Sequence, residues 1–176
     1  MENKNCIVRY FWQVTYAHTI AYFVAGIFAM IFLNYAELFG TGYWAFMRPT
    51  NHPLISLGPF LQIPRGIVIA LFLLPLRKVF FEEKYGLINL AIITIGLFYV
   101  STFGPGIGSI EGYIYTTIPA KHQIIGIPEM LLYMLLFIGI LHISKKYAHK
   151  KILTITSILL IVLISFMSIM GFIMAL

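Results

Sequence analysis

Two ionisable side chains, Arg65 and Glu129, stand inside long apolar stretches of this 176-residue chain, and they are the first candidates for chemistry. A charge at a bilayer centre costs at least ~2.5–3.5 kcal/mol on insertion scales, so it requires a partner or water. A guanidinium cannot escape that cost by neutralising. Arg65 falls in Gly58-Pro59-Phe60-Leu61-Gln62-Ile63-Pro64-Arg65-Gly66. At about 100° per helical residue, Gly58, Gln62, Arg65 and Gly66 share one face, and Pro59, Pro64 and Pro75 lie on another. Glu129 lies about two turns into a later apolar stretch, at a depth close to that of Arg65, and shares its face with Gly126 and Tyr133. The expectation is an Arg65–Glu129 ion pair. It either braces the bundle or lines a polar cavity with Gln62 and Tyr133.

The segments between the apolar stretches add further polar candidates. Gly104-Pro105-Gly106-Ile107-Gly108-Ser109-Ile110-Glu111-Gly112 has phosphate-loop composition but lacks the Lys-Ser/Thr pair, and Glu111 occupies a position where a dinucleotide motif needs glycine. It reads as a glycine turn, or as a re-entrant loop whose amides and Glu111 border a cavity, supported by Tyr113, Tyr115, Thr116 and Thr117. An earlier loop supplies Glu37, Arg48 and His52, with Tyr43 and Trp44 as interfacial anchors. Arg48-Pro49 near a histidine is too little for lipid-phosphatase chemistry. His122 joins these secondary candidates. No His-Glu-x-x-His or comparable spacing occurs, so no metal site is expected. His18 and His142 are placed near the cytoplasmic ends of their helices. A histidine pair can hold a haem between helices, but nothing else points that way, so both are expected as interface residues and no cofactor is assigned. Cys6, the only cysteine, excludes an intrachain disulfide or a cysteine cluster.

The elements that must position these residues follow from composition. The chain is 60% hydrophobic and 10% charged, which leaves too few charges to cover a water-exposed surface. Apolar stretches at about 12–34, 56–76, 87–103, 123–143 and 152–174 predict an all-α integral membrane bundle of five transmembrane helices forming one domain over 1–176. Long unbroken runs exclude a transmembrane β-barrel. The first run is too long and aromatic for a signal peptide, and is expected to remain as a helix. Lys4, Arg9, Arg77, Lys78, Lys84, Lys145, Lys146, Lys150 and Lys151 flank one side of these runs. Only Arg48 and Lys121 flank the other. That bias puts the N-terminus in the cytoplasm and the C-terminus outside. It also explains the net charge of +6 through orientation and lipid contact, not nucleic acid. Ala17, Ala21, Ala25 and Ala29 form a small-residue ridge for close helix packing. Ala91, Thr94 and Ser101 mark a second packing face, and Thr154, Ser157, Ser165 and Ser168 a third.

Gly58–Gly66, Ser101-Thr102-Phe103-Gly104-Pro105 and Ser109-Ile110-Glu111-Gly112-Tyr113-Ile114-Tyr115-Thr116 resemble segments of small multi-pass bacterial membrane proteins without assigned function. The resemblance implies a bacterial inner-membrane protein and lends no activity, cofactor or site. Three classes of function fit. The first is a transporter, channel-like subunit or ligand-binding component handling a polar or anionic small molecule at an outward-facing site. The second is a membrane enzyme acting on lipid head groups at the outer leaflet. The third is an accessory or immunity-type protein whose outer loops bind another protein. Intramembrane ionisable residues favour the first. Its partners would be membrane lipids, the small molecule or a partner membrane protein, and further copies of itself, since five helices are few to enclose a pathway.

Overall fold

A computed structural model describes residues 4–100 and 104–176, and every regular element among them is helical. In order, these are α1 (Lys4–Phe32), α2 (Tyr35–Leu38), α3 (Pro53–Ser56), α4 (Gly58–Leu73), α5 (Gly86–Val100), α6 (Ile110–Tyr115), α7 (Ala120–Gln123), α8 (Ile127–Lys146) and α9 (Lys151–Met174). Short 3₁₀ turns cover Gly42–Trp44 and Leu74–Leu76, the second at Pro75, and a π-helical turn covers Lys78–Glu82. Among the described residues, four segments are long and apolar enough to cross a membrane: Cys6–Phe32, Gly58–Leu76, Ala120–Lys146 and Lys151–Met174. α5 is apolar but has 15 residues, about 22 Å of helix against a ~30 Å hydrocarbon core. The expected third stretch runs on to 103, and 101–103 lie outside the described residues, as does Ser101 of its packing face.

The first helix starts earlier than its apolar run. It begins at Lys4, not near residue 12, because the polar residues before the run still form helix once Tyr10 and Val14 are buried. It ends where Asn34 takes a left-handed φ of 54° and turns the chain into α2. α1 is the central element, packed against α4, α8 and α9, while α5 rests on α8. The expected ridge makes this possible. Ala17, Ala21, Ala25 and Ala29 are each 0–1% exposed, and small side chains let helix backbones approach closely. Gly66 completes the α1–α4 crossing: a β-carbon there would lie 2.9 Å from Thr15 Cα.

Hydrogen bonds fix the helix directions. Tyr10 Oη donates to Ala70 O at 2.9 Å, Gln13 Nε2 donates to Ser144 O at 3.1 Å, and the Tyr16 hydroxyl bonds Ser144 Oγ. The start of α1 therefore meets the ends of α4 and α8. Trp12 Nε1 donates to Ser157 Oγ (3.1 Å) near the start of α9, and Lys145 Nζ reaches Glu83 O (3.5 Å) before α5. The five apolar helices alternate in direction. One end of the bundle gathers Arg9, Arg77, Lys78, Lys84, Lys145, Lys146, Lys150 and Lys151, and the opposite end carries α2, α3, α6, α7 and their loops. Large apolar side chains such as Phe72, Leu135 and Ile152 point outward. This inside-out arrangement suits a lipid surround.

Candidate functional site

A buried polar chain crosses the centre of the bundle, built from one residue each of α1, α4 and α8. His18 is the middle residue of α1 and only 2% exposed. Its Nδ1 lies 2.7 Å from the Tyr133 hydroxyl of α8, and its Nε2 lies 3.1 Å from Gln62 Oε1 of α4. Gln62 is buried, and its Nε2 donates to Gly58 O at 3.1 Å. Arg65 Nη1 donates to the same Gln62 Oε1 at 3.3 Å. One proton arrangement closes the chain: Tyr133 O–H donates to Nδ1, Nε2–H donates to Gln62, and Arg65 adds a second donor to that oxygen. Both imidazole nitrogens are satisfied, as buried polar groups require.

This overturns the placement of His18 as a residue of the cytoplasmic end. Because the helix begins at Lys4, residue 18 falls at its midpoint. The haem geometry goes with it. The α8 residue level with His18 is Tyr133, and His142, exposed on α8, lies nine residues or about 13.5 Å further along.

The expected Arg65–Glu129 ion pair is not made. Among the described residues the two side chains approach no closer than 4.0 Å. Glu129 instead accepts a 2.6 Å hydrogen bond from Tyr35 Oη, which α2 brings over the start of α8. Gly126 lies beside it, its β-carbon position 3.5 Å from that hydroxyl, an ordinary van der Waals distance. Burial, then the bond and charge of Glu129, hold the Tyr35 phenol well above its ordinary range, so it stays a donor. Arg65, expected to face the bundle, is exposed. Gln62 and Gly66 take the inner face, and Arg65 falls at its edge. Tyr22 of α1 is within electrostatic reach of both charges; its hydroxyl sits 4.0 Å from where a Gly58 β-carbon would be. Arg65 also acts electrostatically on His18 and Tyr133. The polar track thus runs from Tyr133 through His18 and Gln62 to an exposed guanidinium, and Glu129 with Tyr35 forms a separate pair nearer the loop end.

Glu111, expected in the polar network with Gln62, Arg65, Glu129 and Tyr133, has no hydrogen bond to it among the described residues. The secondary candidates Glu37, Arg48, His52 and His122 lie in the loops and short helices and do not join this track either. His52 caps α3 by accepting from Leu54 N through Nδ1 (3.2 Å), and its Nε2 lies 3.0 Å from Arg48 Nη1. His122 Nδ1 accepts from Trp44 Nε1 at 3.4 Å, and its ring packs near Tyr43. Trp44, expected as an interfacial anchor, is 6% exposed and stacked between Phe39 and Phe46. Glu37 is exposed in α2. Glu111 is half-buried in the first turn of α6, a helix capped by Ser109 accepting from Gly112 N. Tyr113 and Tyr115 are exposed.

Gln123, not singled out by the sequence, clasps that loop. It is 3% exposed, accepts from Gly108 N at 2.9 Å, and donates to Gly112 O (3.1 Å) and Thr116 Oγ1 (2.8 Å). Among the described residues no group of three or more His, Cys, Asp or Glu is placed to hold a metal ion. Sequence reasoning also passed over Tyr22 and Tyr35. The spacing of His18 and Tyr22, four residues apart beside the alanine ridge, was the available signal. The chain matches no known protein family, no curated protein and no solved structure.

Proposed function

We propose that the chain spans the membrane five times with its basic end in the cytoplasm, and takes a polar, anionic small molecule at a site opening outward. Nine basic residues against two favour that orientation, and the alternating helix directions favour a crossing by α5. A bacterial inner membrane fits the resemblance drawn from the sequence.

The observation that carries the binding reading is the Arg65 guanidinium. It is exposed within an apolar helix, and its one hydrogen bond among the described residues goes to Gln62. Gln62 is itself held by His18 and Gly58. A guanidinium fork keeps its charge and matches carboxylate or phosphate geometry with paired donors. The buried relay behind it supplies the fixed support that a binding position needs. Glu129, kept back by Tyr35, does not neutralise it. The site thus carries net positive character on its open side. As five helices are few to enclose a pathway, the working unit is a homo-oligomer if the molecule is carried across.

Thermal unfolding of the full chain in detergent tests this, with inorganic phosphate, acetate and citrate as probes. At least one probe should raise the Tm, because a ligand bound only by the folded state stabilises it by about 2.7 kcal/mol at a hundredfold excess over Kd. Arg65→Gln should abolish the rise and Arg65→Lys should weaken it. No shift with any probe, or a shift that survives Arg65→Gln, overturns the reading. For orientation, with Cys6→Ser as background, an impermeant thiol reagent added outside should label Thr41→Cys and spare Glu83→Cys. The opposite pattern reverses the topology.

A further inference from the structure

A second feature lies apart from Arg65, between α5 and α8. α5 leans on α8 and leaves between them a groove of about 880 Å³. Its walls are apolar: Leu87, Ala91 and Ile95 from α5, with Met134, Ile138 and Gly139 from α8. The small side chains of Ala91 and Gly139 provide the depth. A β-carbon on Gly139 would meet nothing within 4 Å, so that position opens into the groove. The mouth at the basic end is of different character. Lys84, Lys145 and Lys146 border it, together with Glu83, Tyr85 and His142.

None of the three lysines is ion-paired among the described residues. Lys84 lies over the Tyr85 ring and Lys146 over the Tyr147 ring, while Lys145 Nζ is 3.5 Å from the Glu83 carbonyl. Three ammonium groups therefore stand against one carboxylate at the head of an apolar channel. Lysines in the last turn of a helix also complement its dipole, but that accounts neither for Lys84 on the other element nor for the groove beneath.

We propose that this groove binds a phospholipid with an anionic headgroup, its phosphate at Lys84, Lys145 and Lys146 and an acyl chain along α5 and α8. From Lys145 to Leu131 the groove follows 14 residues of α8, about 21 Å, and one leaflet of a ~30 Å core is about 15 Å deep. The dimensions therefore hold one chain of a lipid in that leaflet. Basic pockets between transmembrane helices are the usual recognition site for anionic head groups. The groove uses residues of α8 other than Glu129 and Tyr133, so this site stands or falls independently of Arg65.

Native mass spectrometry of the full chain, released from detergent with added phosphatidylglycerol or phosphatidylcholine, tests the proposal. The wild type should retain phosphatidylglycerol at least tenfold better. Each lysine changed to glutamine should cost roughly fivefold of that preference, and the combination Lys84→Gln, Lys145→Gln and Lys146→Gln should erase it. Gly139→Phe should lower retention of both lipids by filling the groove. As a separate arm, a photo-crosslinking residue replacing Leu135, which is 73% exposed, should capture lipid from membranes. Equal retention of the two lipids by the wild type overturns the proposal. So does retention unchanged by Gly139→Phe, or crosslinking of Leu135 to a second protein chain in place of lipid.

Discussion

Replacing Gly66 by alanine should destabilise the protein, although alanine is the better helix former. The added β-carbon would lie 2.9 Å from Thr15 Cα, 3.1 Å from Thr15 O and 3.3 Å from Thr15 Cγ2. Two of these neighbours are backbone and cannot rotate away, so α1 and α4 must part. Overpacking of this kind costs about 1–3 kcal/mol. Against it, alanine in a helix interior gains about 0.5–1 kcal/mol over glycine. The clash wins over nearly all of that range, leaving a net loss of up to about 2.5 kcal/mol. Gly139 is the internal control. Nothing lies within 4 Å of its β-carbon position, so Gly139→Ala should stabilise by about 0.5–1 kcal/mol. Unfolding the full chain in mixed micelles with rising SDS, followed by fluorescence of Trp12 and Trp44, measures both. The His18–Gln62 bond, one turn from the crossing, should loosen in the first variant only. Gly66→Ala as stable as the wild type would refute the α1–α4 packing and the position it gives Gln62.

Tyr35→Phe removes a 2.6 Å bond to a carboxylate and should cost about 1.5–3 kcal/mol in the same assay. Since the folded phenol is raised above its ordinary value of 10.0, its contribution is intact below about pH 10 and falls as the pH rises further. Tyr35→Phe should flatten that alkaline loss; an unchanged slope would assign it elsewhere. Gln123→Ala strands the Gly108 amide and removes the links from Gln123 to Gly112 O and Thr116 Oγ1, so limited proteolysis should cut between 104 and 118 faster than in the wild type. A cleavage pattern like that of the wild type would remove Gln123 as the clasp. Arg65→Gln and Glu129→Gln should be additive within about 0.5 kcal/mol, as for sites without direct contact. A coupling of several times that size would restore the ion pair.

Long-range hydropathy and the alanine ridge were legible in the sequence because both are periodic and need only one helix to be recognised. The residues of the polar track were legible as residues: Gln62, Arg65, Glu129 and Tyr133 were all singled out. Their pairing was not. A helical wheel assigns faces to no better than about half of one 100° step, and Arg65 sits between inward Gln62 and Gly66 at the edge of the buried face. That small rotation separates a buried ion pair from an open guanidinium. His18 was misplaced for another reason. The apolar run begins near residue 12, but backbone hydrogen bonding extends the helix to Lys4 through residues whose polarity hides it. Tyr35 and Gln123 act across loops, where no periodicity reports contact. Trp44 looked like an anchor because aromatic composition cannot distinguish an interfacial ring from one stacked between Phe39 and Phe46.

The central proposal is that the exposed Arg65 guanidinium forms a positive site reached by water from the outer side. Leu61 lies four residues before Arg65 on the same helix and is 46% exposed, so a thiol there reports on the guanidinium's surroundings. In a Cys6→Ser background, the measurement is the rate at which Leu61→Cys reacts with an anionic and a cationic methanethiosulfonate, both impermeant and added outside. The account predicts modification from outside, faster with the anionic reagent, and loss of that preference in Arg65→Gln. No modification from outside, or equal rates for the two charges with Arg65 in place, would contradict it.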